Sequence, residues 1–285
     1  MKLQAECVDC ILGQAKRVAS VIGADEKLSQ RIEEKALEMS TAFSFDQTPP
    51  EVATPLYEAL ALLAQKEDLY KEAKSEATKR AQALIPQLEE DIKASDNPLL
   101  TAGKLAVAGN VIDLATHVMF DLETEVKSVL KTPFGIDHFN ELLRSLQHAK
   151  NILYLADNAG EHIFDQLFIK TIKAKYPKLH IFYMTRGNAI INDVTLEEAK
   201  ASGIEKYGDI VSSGVNKPGF IYDEATAEAQ ALFLKSDIVV AKGMGNYETL
   251  TEHSKRPIFH LFKVKCAVVS KSVEQEIGSL ICLKR

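Results

Sequence analysis

Four short apolar runs, separated by amphipathic stretches, restrict the fold of this chain more than any other feature. They cover residues 152–156, 180–184, 238–241 and 257–261, and polar residues or glycine bound each of them. Short apolar runs of this kind are typical of parallel strands buried on both faces, with helices between them. We therefore expect an α/β fold with a mainly parallel sheet.

The first third of the chain differs from the rest in its glycine content. Residues 1–102 contain two of the 14 glycines, Gly13 and Gly23, and several segments rich in good helix formers. This composition predicts helices without strands. We expect an N-terminal helical domain over residues 1–100 and an α/β domain over residues 101–285.

Charge and hydropathy exclude several classes of protein. The formal net charge of −6 argues against a nucleic-acid-binding protein, which needs a basic surface. No apolar run approaches the roughly 18 residues of a membrane span, and the start of the chain lacks an apolar signal segment. We therefore expect a cytoplasmic protein with no nucleic-acid or membrane partner. The sequence leaves its oligomeric state open.

Polar residues and glycines follow all four apolar runs. In an open α/β sheet the carboxyl ends of the strands carry the functional groups, so these residues are expected to converge. The segments are DNAGE at 157–161, TRGN at 185–188 with NDVT at 192–195, KGMGNYE at 242–248, and KVKC at 263–266. Their convergence is the strongest functional indication that the residue pattern alone provides.

The residue types in these segments suit metal-assisted phosphoryl chemistry. Two aspartates and an asparagine offer oxygen ligands to a divalent ion such as Mg²⁺ or Mn²⁺. Two lysines and an arginine suit an anionic, phosphorylated substrate, and glycines allow backbone N–H groups to approach phosphate oxygens. Taken one at a time, the same segments are also compatible with helix capping, turns and surface lysines.

At these residues the sequence resembles the damage-control phosphatases, long known as domain of unknown function 89. The resemblance runs from about residue 3 to about residue 283. The motifs that carry it are DNAGE, NDVT, KGMGNYE, GNVID at 109–113, KVKC, and the CVDC of residues 7–10. The last motif matches a subfamily of archaeal and bacterial proteins that bear a CxxC sequence.

The resemblance implies both a fold and an activity. The fold is a three-layer α/β/α core with a mainly parallel sheet and an N-terminal helical region. The activity is that of a divalent-metal-dependent phosphatase acting on small phosphorylated metabolites, such as sugar phosphates or damaged cofactor precursors. The implied metal ligands are Asp157, Asn158 and Asp193.

A second set of residues is expected to bind the substrate. Lys265 falls where a distant subfamily has the lysine of an Arg-Thr-x-Lys motif, although Phe262 and Lys263 replace its Arg-Thr pair, so that subfamily's substrates are not carried over. The other predicted substrate-binding residues are Asn110, Arg186, Lys242, Gly243, Gly245 and Asn246.

Two of the predicted site residues have alternative roles. Glu161 lies one helical turn beyond Asn158, where it would orient that ligand, act as a general base, or merely place negative charge at a helix N-terminus. Arg186 is either a clamp on the phosphate or an exposed loop arginine. Catalysis would use a water activated by the metal, although an aspartyl-phosphate intermediate remains open.

The cysteines raise the question of a second site. Cys7 and Cys10 are three residues apart in a predicted helix, so both thiols would face one way, and Cys266 lies beside Lys265. A thiol-bound metal, a redox pair and buried small side chains all remain open for this group.

These residues and motifs leave three function classes. The favoured class is the metal-dependent phosphatase, with Mg²⁺, Mn²⁺, Co²⁺ or Ni²⁺ as the cofactor and a small phosphorylated metabolite as the ligand. The alternatives are a carboxyl methyltransferase that uses S-adenosylmethionine and a non-catalytic metabolite- or metal-binding protein. The DNAGE segment opposes the methyltransferase weakly, because a glycine-rich loop would be expected in its place.

Overall fold

The computed structural model describes residues 1–109, 122–252 and 256–285. These ranges contain twelve α-helices and seven strands. In chain order the elements are α1 (Ala5–Val21), α2 (Glu26–Ser40), α3 (Pro49–Ala64), α4 (Lys71–Ala94), α5 (Pro98–Ala108), α6 (Leu122–Lys131), β1 (Phe134–Asp137), α7 (Phe139–Leu146), β2 (Asn151–Leu155), α8 (Glu161–Lys175), β3 (His180–Thr185), α9 (Leu196–Ser202), β4 (Asp209–Ser212), α10 (Ala227–Lys235), β5 (Ile238–Lys242), α11 (Gly243–Leu250), β6 (Phe259–Lys263), α12 (Ala267–Val273) and β7 (Leu280–Lys284).

The seven strands form one sheet in the order β1-β7-β6-β5-β2-β3-β4. All neighbouring pairs are parallel except β6 and β7, which are antiparallel. The four apolar runs form β2, β3, β5 and β6, so the predicted mainly parallel sheet is confirmed. From β2 the chain proceeds outward to β3 and later returns to β5 on the other side. This reversal of strand order creates a switch point between the carboxyl ends of β2 and β5.

Alternate residues of β2 enter different cores, which gives the three-layer α/β/α architecture. Ile152 and Tyr154 pack with α4, α5 and α8 on one face. Leu153 and Leu155 pack on the other face with Phe220 and Phe233, the latter on α10. Period-two alternation of this kind follows from the pleat of a strand. Both faces of the central strands are therefore buried, as their continuous apolar sequence predicts.

The N-terminal helices have an apolar core of their own. Side chains of α1, α2 and α3 pack together around Val18, Ile32 and Leu60, each fully buried. By contrast, Ala81 and Leu88 of α4 pack with the sheet. The predicted domain boundary at residue 100 stays a prediction. No helix within the described ranges is long and apolar enough to cross a membrane.

The start of α3 differs from the start that the sequence favours. Thr54-Pro55 resembles an N-cap followed by proline in the first turn, but α3 begins at Pro49. Thr48 caps it through reciprocal bonds with Glu51, and Pro55 lies inside the helix. Both Thr48-Pro49 and Thr54-Pro55 have the sequence of a helix start. The helix begins at the first of them, because the capping box there satisfies more of the free backbone N–H groups.

Candidate active site

The loops after β2 and β3 join at the switch point and bring the three predicted metal ligands together. Asn158 and Asp193 form an isolated antiparallel bridge, and the N–H of Val194 donates to the carbonyl of Asp157 at 2.9 Å. Ile191 precedes this bridge with φ of +46°. A β-branched residue is strained in this left-handed region, so the surrounding hydrogen bonds must hold the loop in place.

Asp157 and Asp193 form a closely placed pair of buried carboxylates. They are 7% and 3% exposed. Burial, reinforced by the charge of Asp193, raises the pKa of Asp157 to about 7, and burial raises the pKa of Asp193 to about 6. Arg186 opposes these shifts: its Nε donates to Asp193 at 2.6 Å, and its Nη2 lies 3.8 Å from Asp157. The single guanidinium of Arg186 therefore only partly neutralises the two carboxylates, and a further cation beside them would be stabilised.

Two carboxylates fix the orientation of the Asn158 amide. Its Nδ2 donates to Asp157 at 2.8 Å and to Glu161 at 3.4 Å. Because both donors of the NH₂ group are directed at carboxylates, the carbonyl oxygen Oδ1 is left as the acceptor. Asp157, Asn158 and Asp193 together thus offer hard oxygen atoms beside excess negative charge, and this donor set fits a divalent ion such as Mg²⁺ or Mn²⁺.

Gly243 is required by its distance from Asp157. The residue begins α11 with φ of +77°, and a Cβ atom there would lie 1.9 Å from Oδ2 of Asp157. No side chain fits that space. The glycine therefore allows the carboxylate of Asp157 to lie against the start of α11. Gly243 is predicted to bind substrate, but in the structure it makes room for this carboxylate.

The prediction that Lys242 contacts substrate is wrong for this structure. Its side chain is fully buried, and Nζ donates to Glu161, to Asp165 at 2.8 Å and to the carbonyl of Ala106 at 2.6 Å. Burial lowers its pKa, but the two carboxylates outweigh that effect and raise the pKa above its usual range. Lys242 is therefore an internal counter-charge with all three donors used.

Glu161 is also enclosed, which excludes it as a base that touches substrate. Its side chain is fully buried between Lys242 and Asn158. The roles that remain from those proposed for it are to orient Asn158 and to place negative charge at the start of α8, of which it is the first residue. Tyr154 and Tyr183 extend the same network by donating to Asp165 at 2.6 and 3.0 Å.

Arg186 and Asn246 are likewise buried, and they support the site through hydrogen bonds. Arg186 is 2% exposed and is engaged with the two carboxylates, so it is neither an exposed loop arginine nor a clamp that reaches into the cavity. Asn246 is fully buried: Nδ2 donates to the carbonyls of Ala156 and Lys242, and Oδ1 accepts from Phe220. Its side chain ties the ends of β2 and β5 together and has no capacity left for a ligand.

A cavity of about 640 Å³ opens in front of the carboxylates. Its walls come from the carboxyl edge of the sheet on one side and from α1 and α3 on the other. The predicted site residues that line it are Asp157, Asn158, Asp193, Gly245, Lys265, Cys7, Cys10 and Cys266. Asn110 lies outside the described residues. The cavity therefore collects the predicted metal ligands, one of the predicted lysines and three of the four cysteines.

The three cysteines of the cavity are all free thiols. Burial raises the pKa of Cys7 and of Cys266. Within the described ranges, no group of three or more His, Cys, Asp or Glu side chains is arranged to hold a metal ion. The three thiols therefore line the same cavity, but within the described residues they do not form a three-thiol metal site.

Several cavity residues were not selected by sequence reasoning. They are Glu6, Gln14, Arg17, Tyr57, Tyr70 and Glu248. The sequence does contain a pattern that indicates part of this set. Cys7, Cys10, Gln14 and Arg17 follow one another at helical spacing and form a polar stripe on α1. The stripe lies on the face of α1 that lines the cavity.

The fold and the site define an α/β protein with a polar ligand cavity at the carboxyl edge of its sheet. The family model for the damage-control phosphatase ARMT1-like domain matches residues 3–281. The chain therefore belongs to the damage-control phosphatase family. This membership supports a hydrolase, namely a phosphatase that acts on damaged or unusual metabolites.

Individual relatives agree with this assignment. A damage-control phosphatase of Pyrococcus horikoshii is 32% identical over 286 residues, which cover 100% of this chain and 98% of that protein. A damage-control phosphatase of Archaeoglobus fulgidus is 32% identical, with 99% and 98% covered. The crystal structure of a DUF89 family protein from Pyrococcus horikoshii superimposes with a TM-score of 0.90 at 30% identity, covering 100% of this chain and 99% of that one.

Proposed function

We propose that this protein is a divalent-metal-dependent phosphatase that hydrolyses phosphate monoesters of small metabolites, such as sugar phosphates or damaged cofactor precursors. The observation that carries the proposal is the meeting of Asp157, Asn158 and Asp193 in one cavity with Lys265. Hard oxygen ligands beside a cationic side chain are suited to a phosphate ester and its metal ion.

The proposed metal ligands are the two carboxylates of Asp157 and Asp193 and the amide oxygen of Asn158. Mg²⁺, Mn²⁺, Co²⁺ and Ni²⁺ all accept such ligands, and availability would decide among them. When bound, the ion would neutralise the two carboxylates and polarise a phosphate oxygen as a Lewis acid. Arg186 and Glu161 keep the three ligands in position through the hydrogen bonds described above.

The remaining cavity residues would bind and orient the substrate. Lys265, whose charge lowers the pKa of Asp157, would bind the phosphate oxygens and offset the charge that develops during transfer. Gly245 lines the cavity in the first turn of α11, where backbone N–H groups would be available to a phosphate oxygen. Glu248 also lines the cavity, and burial raises its pKa to about 7, which suits it to exchange a proton with the leaving oxygen.

The proposal is tested by removing metal with a chelator and measuring phosphate release after each metal is restored singly. The substrates are p-nitrophenyl phosphate and a panel of sugar phosphates, and the Asp157→Ala variant is assayed beside the wild type. We expect release that returns with metal in the wild type and stays lost in the variant. Equal release by the two proteins would contradict the proposed site.

The two alternative classes give different results in parallel assays. Thermal stabilisation by S-adenosylmethionine, with none by metal, would favour a carboxyl methyltransferase. Tight binding of a sugar phosphate without turnover under any metal would favour a metabolite-binding protein. Neither alternative has a specific observation in its favour at the cavity.

A further inference from the structure

The wall of the cavity that faces the carboxylates is formed by one stripe of α1. Cys7, Cys10, Gln14 and Arg17 all line the cavity, and their spacing of three, four and three residues places them along one helix face. On the other face, Ala15 and Val18 are buried against the neighbouring helices. The polar stripe therefore runs the length of α1 with its side chains toward the cavity.

Hydrogen bonds hold the middle of this wall in a fixed arrangement. The hydroxyl of Tyr57, on α3, donates to Oε1 of Gln14 at 2.6 Å. Nε2 of Gln14 donates in turn to Sγ of Cys10 at 3.6 Å. Tyr57 is 3% exposed, so its ring is fixed by packing as well. Preorganised polar groups of this kind bind a ligand with little loss of side-chain entropy.

Two cations line the cavity, and they lie toward opposite ends of it. Lys265 lies near the start of α1, because the preceding Val264 packs in one cluster with Met1, four residues before α1 begins. Arg17 lies ten residues farther along α1 than Cys7, a displacement of roughly 15 Å at 1.5 Å per residue. The separation of Lys265 and Arg17 along the wall is therefore larger than one phosphate group.

Neither cation forms a close ion pair in the part of the chain that the structure describes. The ion pairs found there involve neither Arg17 nor Lys265. Glu6, a carboxylate that also lines the cavity, is at the first turn of α1, at the end opposite Arg17. Arg17, which is exposed, thus presents a guanidinium without an ion pair at the end of α1 opposite Glu6.

We propose that the physiological substrate carries a second anionic group, which Arg17 binds at the far end of the cavity. This inference rests on the proposed phosphatase function, since it takes the phosphate to be hydrolysed as the anion at Lys265. The second group is a carboxylate or a phosphate, because both match the paired donors of a guanidinium. The substrate class is therefore an elongated metabolite with a phosphate at one end and a second anionic group at the other, rather than the monophosphate of an otherwise uncharged sugar.

The test compares three ligands that share one six-carbon chain and one phosphate. Glucitol 6-phosphate ends in an alcohol, 6-phosphogluconate ends in a carboxylate, and glucitol 1,6-bisphosphate ends in a second phosphate. Binding is measured by calorimetry on the Asp157→Asn background, which preserves the shape of the side chain and suppresses turnover. Arg17→Gln, Arg17→Lys and the control Lys16→Gln are introduced into that background.

We expect 6-phosphogluconate, glucitol 1,6-bisphosphate or both to bind at least about tenfold more tightly than glucitol 6-phosphate, because their second anion can form charge-assisted hydrogen bonds with Arg17. Arg17→Gln should remove that preference without weakening glucitol 6-phosphate, and Arg17→Lys should restore part of it. Lys16→Gln should have no effect, because Lys16 is exposed, pairs with Glu33 and does not line the cavity. The ligand that loses affinity in Arg17→Gln identifies the second anion as carboxylate or phosphate.

Equal affinity for the three ligands, no measurable binding of any of them, or an equal loss for all three in Arg17→Gln would overturn the inference. Phosphate release by the otherwise wild-type chain is measured separately on the same ligands with metal present. If the calorimetric preference is observed but none of the ligands releases phosphate, the proposed function fails while the second-anion site stands.

Discussion

At the scale of single residues, Gly243 is the position where the backbone most directly determines the site. We expect Gly243→Ala to abolish phosphate release, because its Cβ would collide with the Asp157 carboxylate and its φ of +77° disfavours alanine. Gly13→Ala is the matched control, since Gly13 lies inside α1 with nothing within 4 Å of the added methyl group. That change should raise stability by about 0.5–1 kcal/mol and leave activity intact. Measured activity near wild type in Gly243→Ala would contradict the placement of Asp157.

Lys242 provides a second test, in which stability is the readout. We expect Lys242→Gln to destabilise the fold by about 3–5 kcal/mol, because it leaves Glu161 and Asp165 buried without a full counter-charge. Lys170→Gln removes an exposed pair with Glu89 and should cost less than about 1 kcal/mol. Urea unfolding of both variants measures the difference, and a Lys242→Gln variant as stable as the control would show that the buried network does not need this cation.

His260 makes stability depend on pH. Burial, together with the charge of the nearby Arg285, lowers its pKa to about 3 in the fold. The unfolded chain, with a histidine pKa of about 6.5, binds the proton first, so stability falls as pH decreases below about 6.5. Between pH 7 and pH 5 the histidine contributes about 2 kcal/mol of this loss.

The contribution of His260 is measured by urea unfolding at the two pH values. His260→Gln should lose about 2 kcal/mol less than wild type over that interval. The exposed His148 supplies the control, and His148→Gln should retain the wild-type pH dependence. If the two variants showed identical pH dependence, protonation of His260 would not contribute to acid sensitivity.

At the scale of elements, the capping of α9 connects stability to the site. Thr195 begins this helix two residues after Asp193, and its N–H and hydroxyl both donate to Glu198, at 2.8 and 3.0 Å. The same arrangement caps α3, where Thr48 donates twice to Glu51. Each Thr→Ala change should cost about 1 kcal/mol of stability.

The two caps should differ in their effect on catalysis. Thr195→Ala loosens the loop that positions Asp193, so we expect kcat/KM for phosphate release to fall several-fold. Thr48→Ala removes an equivalent cap at a residue that does not itself line the cavity, and it should leave kcat/KM close to wild type. An equal effect of both substitutions on kcat/KM would show that the α9 cap acts through general stability alone.

The sequence predicted the central strands better than the peripheral ones. The apolar runs of β2, β3, β5 and β6 are detectable because strands buried on both faces need continuous apolar residues. The edge strands β1 and β4 have the short sequences FGID and DIVS, which carry no comparable pattern. β7 is apolar, but its antiparallel pairing with β6 depends on contacts that local sequence does not specify.

The same limitation separates the predicted site residues that line the cavity from those that do not. Asp157, Asn158 and Asp193 were placed together because the ends of parallel strands share one edge of the sheet. Lys242 shares that edge, but its side chain turns inward to two carboxylates of α8. Whether a strand-end lysine faces the cavity or the core depends on partners on another element, and spacing in the sequence does not identify them.

At the scale of the whole molecule, the cavity lies between two separate apolar cores. One core joins α1, α2 and α3, and another packs the sheet against α4, α5 and α8. Buried Lys74 of α4 connects the two regions further, since it pairs with Asp68 at 2.7 Å and with Glu198 of α9 at 2.9 Å. In the proposed function, residues at the carboxyl edge of the sheet would carry out the reaction. The wall formed by α1, which carries Arg17, would select among substrates.

The most direct test of the metal-dependent phosphatase is to count bound Mn²⁺ and measure phosphate release on the same sample. Free Mn²⁺ is followed by electron paramagnetic resonance during a titration of the chelator-stripped protein. We expect one Mn²⁺ per chain, a release rate that rises in proportion to occupancy, and loss of both in Asp157→Ala. Full release by the metal-free protein, or unchanged Mn²⁺ binding in Asp157→Ala, would contradict the proposed metal site.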